Sequence, residues 1–269
     1  GIAFRAGEMT PDRLRSLAEE CPDAAAAVRN NLHPQGAVGP GGVNVGEILL
    51  GAVDCEKPHV RVAAVHGLGS ASSPDGAVLA ALKRALRDDE VQVRRAAAVA
   101  LVRRGPAAGP ALADVFDDDD ASVRAAARAG LGRMGTQAVA LLLEVVEDED
   151  SAGREDAARL LAGIFQRPEV PGTSEAAKAV PVLVEALDDA DPGLRRAAAF
   201  ALVEACRKTD APLAGEAEKA VPVLVGVVLD VKESTHFRYE AEEALVALGP
   251  HAEAAVPPLI EALGEDKSR

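Results

Sequence analysis

Charged residues that recur at a fixed spacing are the first candidates for chemistry in this chain. An acidic residue stands four positions before an arginine at Glu90–Arg94, Asp120–Arg124, Asp150–Arg154 and Asp191–Arg195. An acid at a helix start can accept hydrogen bonds from free backbone N–H groups, and its charge suits the positive end of the helix dipole. The arginine one turn later can reach an acid of its own or of the adjacent turn. The pattern therefore predicts a helix cap and a ladder between repeats rather than catalysis.

Metal binding is the second chemistry to test. The run Asp117–Asp120 lacks the spaced Asp, Asn and Gly residues of a calcium loop, which favours a solvated turn and a helix cap. His59 and His66 follow Cys55 and lie on one face of a predicted helix. Two helical turns separate the histidines by roughly 10 Å, too far for one ion. We predict no metal and no cofactor.

The remaining reactive residues do not form a known catalytic pattern. Cys21, Cys55 and Cys206 are odd in number and far apart, and no CxxC occurs, so buried free thiols are expected. The serines at positions 70, 72 and 73 lie in a predicted loop without a GxSxG elbow, and the chain has neither a P-loop nor a GxGxxG sequence. These observations favour a protein that is not an enzyme.

The charged motifs must be positioned by a series of helix pairs. The anchor arginines Arg61, Arg94, Arg124, Arg154, Arg195 and Arg238 recur at intervals of 30–43 residues, and each interval has room for two helices. Neither helix of such a pair can bury its Leu, Val and Ala face alone, so each pair must stack on its neighbours. We therefore predict an all-α solenoid of antiparallel helix pairs.

The chain divides into two parts in this interpretation. Residues 1–43 are predicted to form an N-terminal helical cap or degenerate repeat, with a helix starting at Thr10-Pro11, a second from Pro22 to Leu32, and a Gly/Pro loop. Residues 44–269 are predicted to form about six helix pairs, followed by a single terminal helix that starts at Pro250. Terminal repeats are often atypical because one face meets solvent.

The repeated residues resemble HEAT repeats, and in particular the short bacterial form called PBS-lyase HEAT-like repeats. The resemblance rests on DPGLRRAAAFAL at 191–202, on DASVRAAA from Asp120, and on first helices that contain AVPxL. It covers about residues 44–263. It implies an all-α, right-handed superhelix in which the second helices line the concave side.

Charge is segregated between the two helices of each pair. From Val91 to Arg104 and from Ala121 to Gly135 there are arginines and no acids. We therefore predict a relatively basic concave surface on a protein whose formal net charge is −14. Variation is expected at the position after each anchor arginine, where Arg95, Arg196 and Tyr239 occur. The predicted protein-binding residues are Arg95, Arg103, Arg128, Arg133, Arg196 and Tyr239.

The predicted function is a non-catalytic scaffold or adaptor that binds a protein or peptide on the concave face. An alternative, implied by the resemblance alone, is a phycobilin lyase or a chaperone-like subunit of such a lyase. Nucleic-acid binding is disfavoured by the net charge and by the aromatic content of 2% without tryptophan. We expect a monomer without a membrane span. A cytoplasmic location is favoured, and a signal or anchor upstream of Gly1 stays open because the chain lacks an initiator Met.

Overall fold

The computed structural model describes residues 16, 19–21, 45–70, 76–170, 173–206 and 215–266. These residues form α-helices joined by short 3-10 turns, and no strand occurs among them. The predicted helices from Thr10 and from Pro22 to Leu32 lie outside the described residues. The predicted all-α solenoid is confirmed.

Within the described parts of the chain the helices form six pairs in sequence order, and a single helix follows the sixth pair. The first helices are α1 (Val45–Ala52), α3 (Gly76–Ala85), α5 (Gly109–Ala113), α7 (Val139–Glu147), α9 (Ser174–Glu185) and α11 (Val221–Leu229). The second helices are α2 (Pro58–Ser70), α4 (Val91–Val102), α6 (Ala121–Met134), α8 (Arg154–Phe165), α10 (Pro192–Cys206) and α12 (Thr235–Leu248). The terminal helix is α13 (Val256–Asp266).

Glycine ends three of the second helices. Gly105, Gly135 and Gly249 have φ angles of 67°, 60° and 55°, a conformation that disfavours residues with a Cβ. A 3-10 turn follows each glycine and delays the next α-helix. The helix α13 therefore begins at Val256 rather than at the predicted Pro250, because the turn after Gly249 comes first. Helix α5 is likewise limited to Gly109–Ala113, between Ala108 and Asp114.

Contacts along the chain gather into two compact units, Gly1–Leu131 and Gly132–Arg269, and the division falls within α6. In the first unit α2 packs extensively along α4, and in the second unit α8 packs along α10. The surfaces in contact are rich in buried alanine, including Ala63, Ala64 and 96–98 in the first unit. Small side chains allow the helix axes to approach closely, and this close approach fills the core of a protein that has few aromatic residues.

Gly69 marks a close approach of two helix backbones in the first unit. A Cβ added to this residue of α2 would lie 2.6 Å from Ala100 Cβ and 2.9 Å from Ala100 Cα on α4. Both distances are far below van der Waals contact, and the second atom belongs to the backbone. A side chain at position 69 would therefore push α2 and α4 apart.

The stretch Ala121–Glu147 is long and apolar enough to span a membrane by length and composition, with a mean hydropathy of 1.2. It contains two helices, because the positive φ of Gly135 separates α6 from α7. The helices have 14 and 9 residues, and each is shorter than the roughly 20 residues that a bilayer requires.

Replacing Gly69 by Ala is expected to lower the free energy of unfolding by roughly 1–3 kcal/mol, because the added methyl overpacks the contact between α2 and α4. Urea denaturation followed by circular dichroism would measure the change. Gly226→Ala on the exposed side of α11 is the matched control, since nothing lies within 4 Å of its added Cβ. The control should be neutral or stabilising by up to about 1 kcal/mol, and equal losses in both variants would contradict the close-approach explanation.

Candidate functional site

The anchor arginine Arg94 contacts two successive repeats at once. Arg94 Nη1 donates to the carbonyl oxygens of Asp88 (2.9 Å) and Asp89 (3.2 Å) in its own turn. Arg94 Nε and Nη2 donate to the Asp118 carboxylate of the following repeat at 2.7 and 3.1 Å. The two side chains are only 14% and 7% exposed. This partly buried, bidentate ion pair fixes the position of one repeat on the next.

The same contact recurs in both units. Arg61 donates to both carboxylate oxygens of Asp88 at 2.7 Å, and Arg154 pairs with Asp189 at 2.8 Å. Arg195 Nη1 donates to the carbonyl oxygens of its own turn, at Asp189 (2.7 Å) and Ala190 (3.0 Å). The predicted ladder between repeats is therefore confirmed for Arg61, Arg94 and Arg154.

The acid of the ladder differs from the acid of the sequence motif. Asp88, Asp118 and Asp189 stand two residues before the motif acid, and each also accepts the backbone N–H of that acid, at 2.9, 2.9 and 2.8 Å. This backbone hydrogen bond and then Arg154 lower the pKa of Asp189. Each ladder aspartate stands six residues before the anchor arginine of its own repeat, as in Asp88–Arg94 and Asp118–Arg124. This constant spacing could have identified the ladder aspartates from the sequence.

The motif acids serve as helix caps where their geometry allows. Asp120 accepts the N–H of Ser122 at 2.8 Å, and Asp191 accepts that of Gly193 at 2.9 Å. Hydrogen bonds from the Ser122 side chain and backbone lower the pKa of Asp120. Glu90 makes no side-chain cap, as its longer side chain predicts. The aspartate run thus supplies a ladder acid and a cap.

A groove of about 660 Å³ crosses the second helices of the Gly132–Arg269 unit. One face each of α8, α10 and α12 lines it, with residues recurring three to four positions apart as a helix face requires. Helix α8 contributes Arg159, and Gln166 follows directly after this helix. Helix α10 contributes Arg196, Phe200 and Glu204, and helix α12 contributes His236, Phe237, Tyr239, Glu240 and Glu243. Buried alanines from all three helices lie between these larger side chains.

Two arginines hold the aromatic centre of the groove in place. The Arg159 and Arg196 guanidinium carbons lie 5.4 and 5.9 Å from the centre of the Phe237 ring, within cation–π range. Arg159 also pairs with Glu155 of its own helix, and Arg196 pairs with Glu233 just before α12. Neighbouring carboxylates therefore offset both positive charges.

Exposed aromatic surface is concentrated in this groove. The chain has five phenylalanines and one tyrosine, and Phe200, Phe237 and Tyr239 all line the groove. The Tyr239 side chain is 59% exposed. Three of the six aromatic residues thus share one cleft, and aromatic side chains are enriched at surfaces where partners bind.

The six predicted binding residues fall into two groups. Arg196 and Tyr239 line the groove together. Arg95 and Arg103 are exposed at α4, and half-buried Arg128 and exposed Arg133 lie on α6. Partial burial and then the positive charge of Arg103 lower the pKa of His66 on α2.

Sequence reasoning missed Arg159, Phe200, Phe237 and Glu204 as groove residues. Phe200 and Glu204 follow Arg196 at intervals of four residues on α10, and this spacing was a usable signal. Arg159 stands five residues after its anchor arginine rather than one. Only the packing of α8 against α10 and α12 puts it beside Phe237.

Of the histidines and cysteines that the structure describes, only His236 is among the residues that line this groove. No cluster of three or more potential metal ligands occurs among the described residues. All three cysteines are buried free thiols, as expected. The structure nevertheless brings Cys21 near Cys55, which the sequence did not predict.

Comparison with known proteins agrees with this architecture. A family model described as HEAT repeats matches residues 46–132, 109–203 and 180–269, and these matches together cover most of the chain. The protein belongs to the HEAT-repeat family. No curated protein sequence matches it.

Solved structures similar to this HEAT-repeat protein include natural and designed repeat proteins. The archaeal HEAT-like repeats protein from Thermococcus onnurineus NA1 is 14% identical with a TM-score of 0.55, and the match covers 92% of this chain and 100% of that one. A designed armadillo repeat protein in complex with the peptide (KR)4 is 16% identical with a TM-score of 0.47, covering 77% and 100%.

The complex of CpcE and CpcF of phycocyanin lyase from Nostoc sp. PCC7120 is 19% identical with a TM-score of 0.39, covering 83% of this chain and 94% of that one. At these identities the likeness concerns the fold. A helical-repeat fold of this type is typical of non-catalytic scaffolds.

Replacing Asp118 by Ala is expected to lower the free energy of unfolding by roughly 2–4 kcal/mol, because Arg94 would keep its partly buried charge without a carboxylate. Chemical denaturation would measure the loss. The control is Arg84→Ala, which removes the exposed 3.0 Å pair with Asp54 and should change stability by no more than about 0.5 kcal/mol. A ladder without structural importance would give the two variants the same stability.

Proposed function

We propose that this HEAT-repeat protein is a non-catalytic scaffold that binds a protein or peptide segment on the exposed faces of its second helices. The groove across α8, α10 and α12 carries the proposal. It combines exposed aromatic surface with charged groups of both signs in one cleft. Its volume of about 660 Å³ falls within the roughly 300–1,000 Å³ of common ligand-binding clefts.

The groove is suited to recognition because its central side chains are held in place before a partner arrives. Phe237 is flanked by Arg159 and Arg196, and Arg196 is fixed in turn by Glu233. Preorganised side chains lose little conformational entropy on binding. Tyr239 at the exposed edge of this cluster is a suitable anchor for an apolar side chain of the partner.

The second helices of the first unit offer a different surface. α4 with Arg103, together with α6, carries arginines but no acid from Val91 to Arg104 and from Ala121 to Gly135. A partner segment that contacts this surface would carry acidic side chains, because complementary charges speed association and fix orientation. The overall negative charge of the protein disfavours other, non-specific contacts with acidic partners.

A displayed random-peptide library provides a test of the groove without a known partner. Peptides selected on the wild-type protein are expected to lose about tenfold or more in affinity for Tyr239→Ala, because an exposed aromatic anchor is removed. Fluorescence anisotropy would measure the affinities. Val246→Ala, another exposed apolar position on α12 that does not line the groove, is the matched control. Selected peptides that bind Tyr239→Ala as tightly as the control would exclude the groove as their site.

The arginine surface is tested by charge reversal. The double variant Arg95→Glu and Arg128→Glu is expected to weaken a protein partner that is captured by affinity purification from the native cell and then purified. The loss of affinity should be smaller at high salt, because salt screens the electrostatic attraction to the partner that the charge reversal removes. Lys83→Glu, an exposed reversal on the first helix α3, serves as control. Unchanged binding by the double variant, with circular dichroism showing an intact fold, would eliminate this part of the proposal.

A further inference from the structure

Two cysteines from distant parts of the sequence lie side by side in the first unit. The Cys21 thiol donates to the carbonyl oxygen of Gly51 and the Cys55 thiol to that of Glu20, both at 3.9 Å. Each sulfur therefore contacts the backbone beside or near the other cysteine. Both residues are buried, with 1% and 3% of their surface exposed. Burial raises the pKa of Cys55, and a hydrogen bond with the Cys21 thiol raises it further.

Ionic contacts hold the segment that carries Cys21 against the start of the repeats. Glu20 Oε2 accepts from Lys57 Nζ at 3.2 Å and contacts His59 Nε2 at 2.7 Å. These contacts, first with His59 and then with Lys57, lower the pKa of Glu20. Because Lys57 and His59 follow Cys55 closely, Glu20 and Cys21 are aligned with the turn between α1 and α2. The contacts of Glu20, the residue before Cys21, with Lys57 and His59 thus position the two thiols.

We propose that Cys21 and Cys55 are a redox-sensitive dithiol that forms an intramolecular disulfide on reaction with a peroxide. One thiolate attacks an oxygen of hydrogen peroxide, the O–O bond breaks, and a sulfenic acid forms while the released hydroxide takes a proton to give water. The second thiolate attacks the sulfenic sulfur, the S–S bond forms, and hydroxide leaves and is protonated to a second water. The cysteine pair loses two electrons, and the peroxide is reduced to two waters.

The pairing favours a disulfide over further oxidation of one sulfur. A sulfenic acid that forms beside a thiol is trapped by that thiol before a second peroxide reacts with it. Cys206 provides an internal comparison, because it lies in the Gly132–Arg269 unit and burial raises its pKa to about 11. Cys55 shares both the burial and the raised pKa, so a disulfide between Cys21 and Cys55 with Cys206 left as a thiol would report the pairing of the two thiols.

The disulfide would fasten the segment around Glu20 to the first helix pair. It closes a loop from residue 21 to residue 55 and restricts the unfolded chain, which raises stability. In the reduced protein the segment is held by the Glu20 contacts and by the buried thiols. Oxidation would therefore convert a non-covalent attachment of the segment into a covalent one.

Peptide mapping of the full-length wild-type protein tests the proposal directly. The folded protein is treated with hydrogen peroxide, its remaining thiols are alkylated after denaturation, and it is digested with trypsin without reduction. Cys21 and Cys55 then fall in separate peptides, 16–29 and 30–61, and Cys206 in 197–207. Mass spectrometry should find the first two peptides joined and the third alkylated, and dithiothreitol should separate the joined pair.

Thermal unfolding gives an independent measurement. The oxidised protein should unfold at a midpoint roughly 5 °C or more above the reduced protein, and dithiothreitol should reverse this rise. Cys206→Ser should keep both the linked peptide and the shift, whereas Cys55→Ser should lose both. Recovery of the wild-type Cys21 and Cys55 peptides as separate alkylated or sulfinic species would overturn the proposal. A link found only between two chains would also overturn it, and neither result depends on the folding of a variant.

Discussion

The guanidinium group of the anchor arginine is the contact on which the stacking of repeats depends. Arg94 satisfies two carbonyl oxygens of its own turn and both carboxylate oxygens of Asp118 in the following repeat. Alanine and leucine surfaces supply much of the stacking energy but little direction, since apolar contact is not directional. The planar, bidentate pair adds the direction. Together these forces specify how one helix pair lies on the next.

The repeated motif is poorly suited to recognising a partner, because its charged groups already take part in stacking contacts. Its arginine is partly buried and hydrogen-bonded, and its aspartates either cap a helix or join the ladder. The residue directly after the anchor arginine takes part in neither the helix cap nor the ladder. Arg196 and Tyr239 occupy that position in two successive pairs and line the same groove. A regular scaffold can therefore present irregular side chains without loss of its stacking contacts.

Close packing imposes a matching constraint on the rest of each second helix. Alanines dominate the buried side, and Gly69 touches Ala100 where even a methyl group would not fit. Buried aromatic residues are few among the described residues, with Phe116 after α5 and Phe165 at the end of α8 as the two large examples. The clustering of Phe200, Phe237 and Tyr239 at the groove stands out against this background. The residue types that stacking excludes are those that the exposed face can use for binding.

The sequence alone determined the helical-repeat architecture, because hydrophobic periodicity, glycine stops and a motif recurring every 30–43 residues are local signals. It also marked Arg196 and Tyr239 by their place after the anchor arginine. It predicted that the arginine reaches an acid of its own or of the adjacent turn, but it did not single out the carboxylates of the following repeat that bind Arg61, Arg94 and Arg154. Which carboxylate an arginine reaches depends on the distance between neighbouring repeats in space, and the spacing of the motif along the sequence does not give that distance.

Only the tertiary structure decided which distant residues meet. Arg159 reaches Phe237 because α8, α10 and α12 lie side by side, and Cys21 reaches Cys55 because Glu20 binds Lys57 and His59. Such contacts depend on packing between elements far apart in the chain, for which neither composition nor periodicity carries a signal. The sequence by itself therefore specified the elements and their order, and three-dimensional packing selected the side chains that share a groove or a thiol pair.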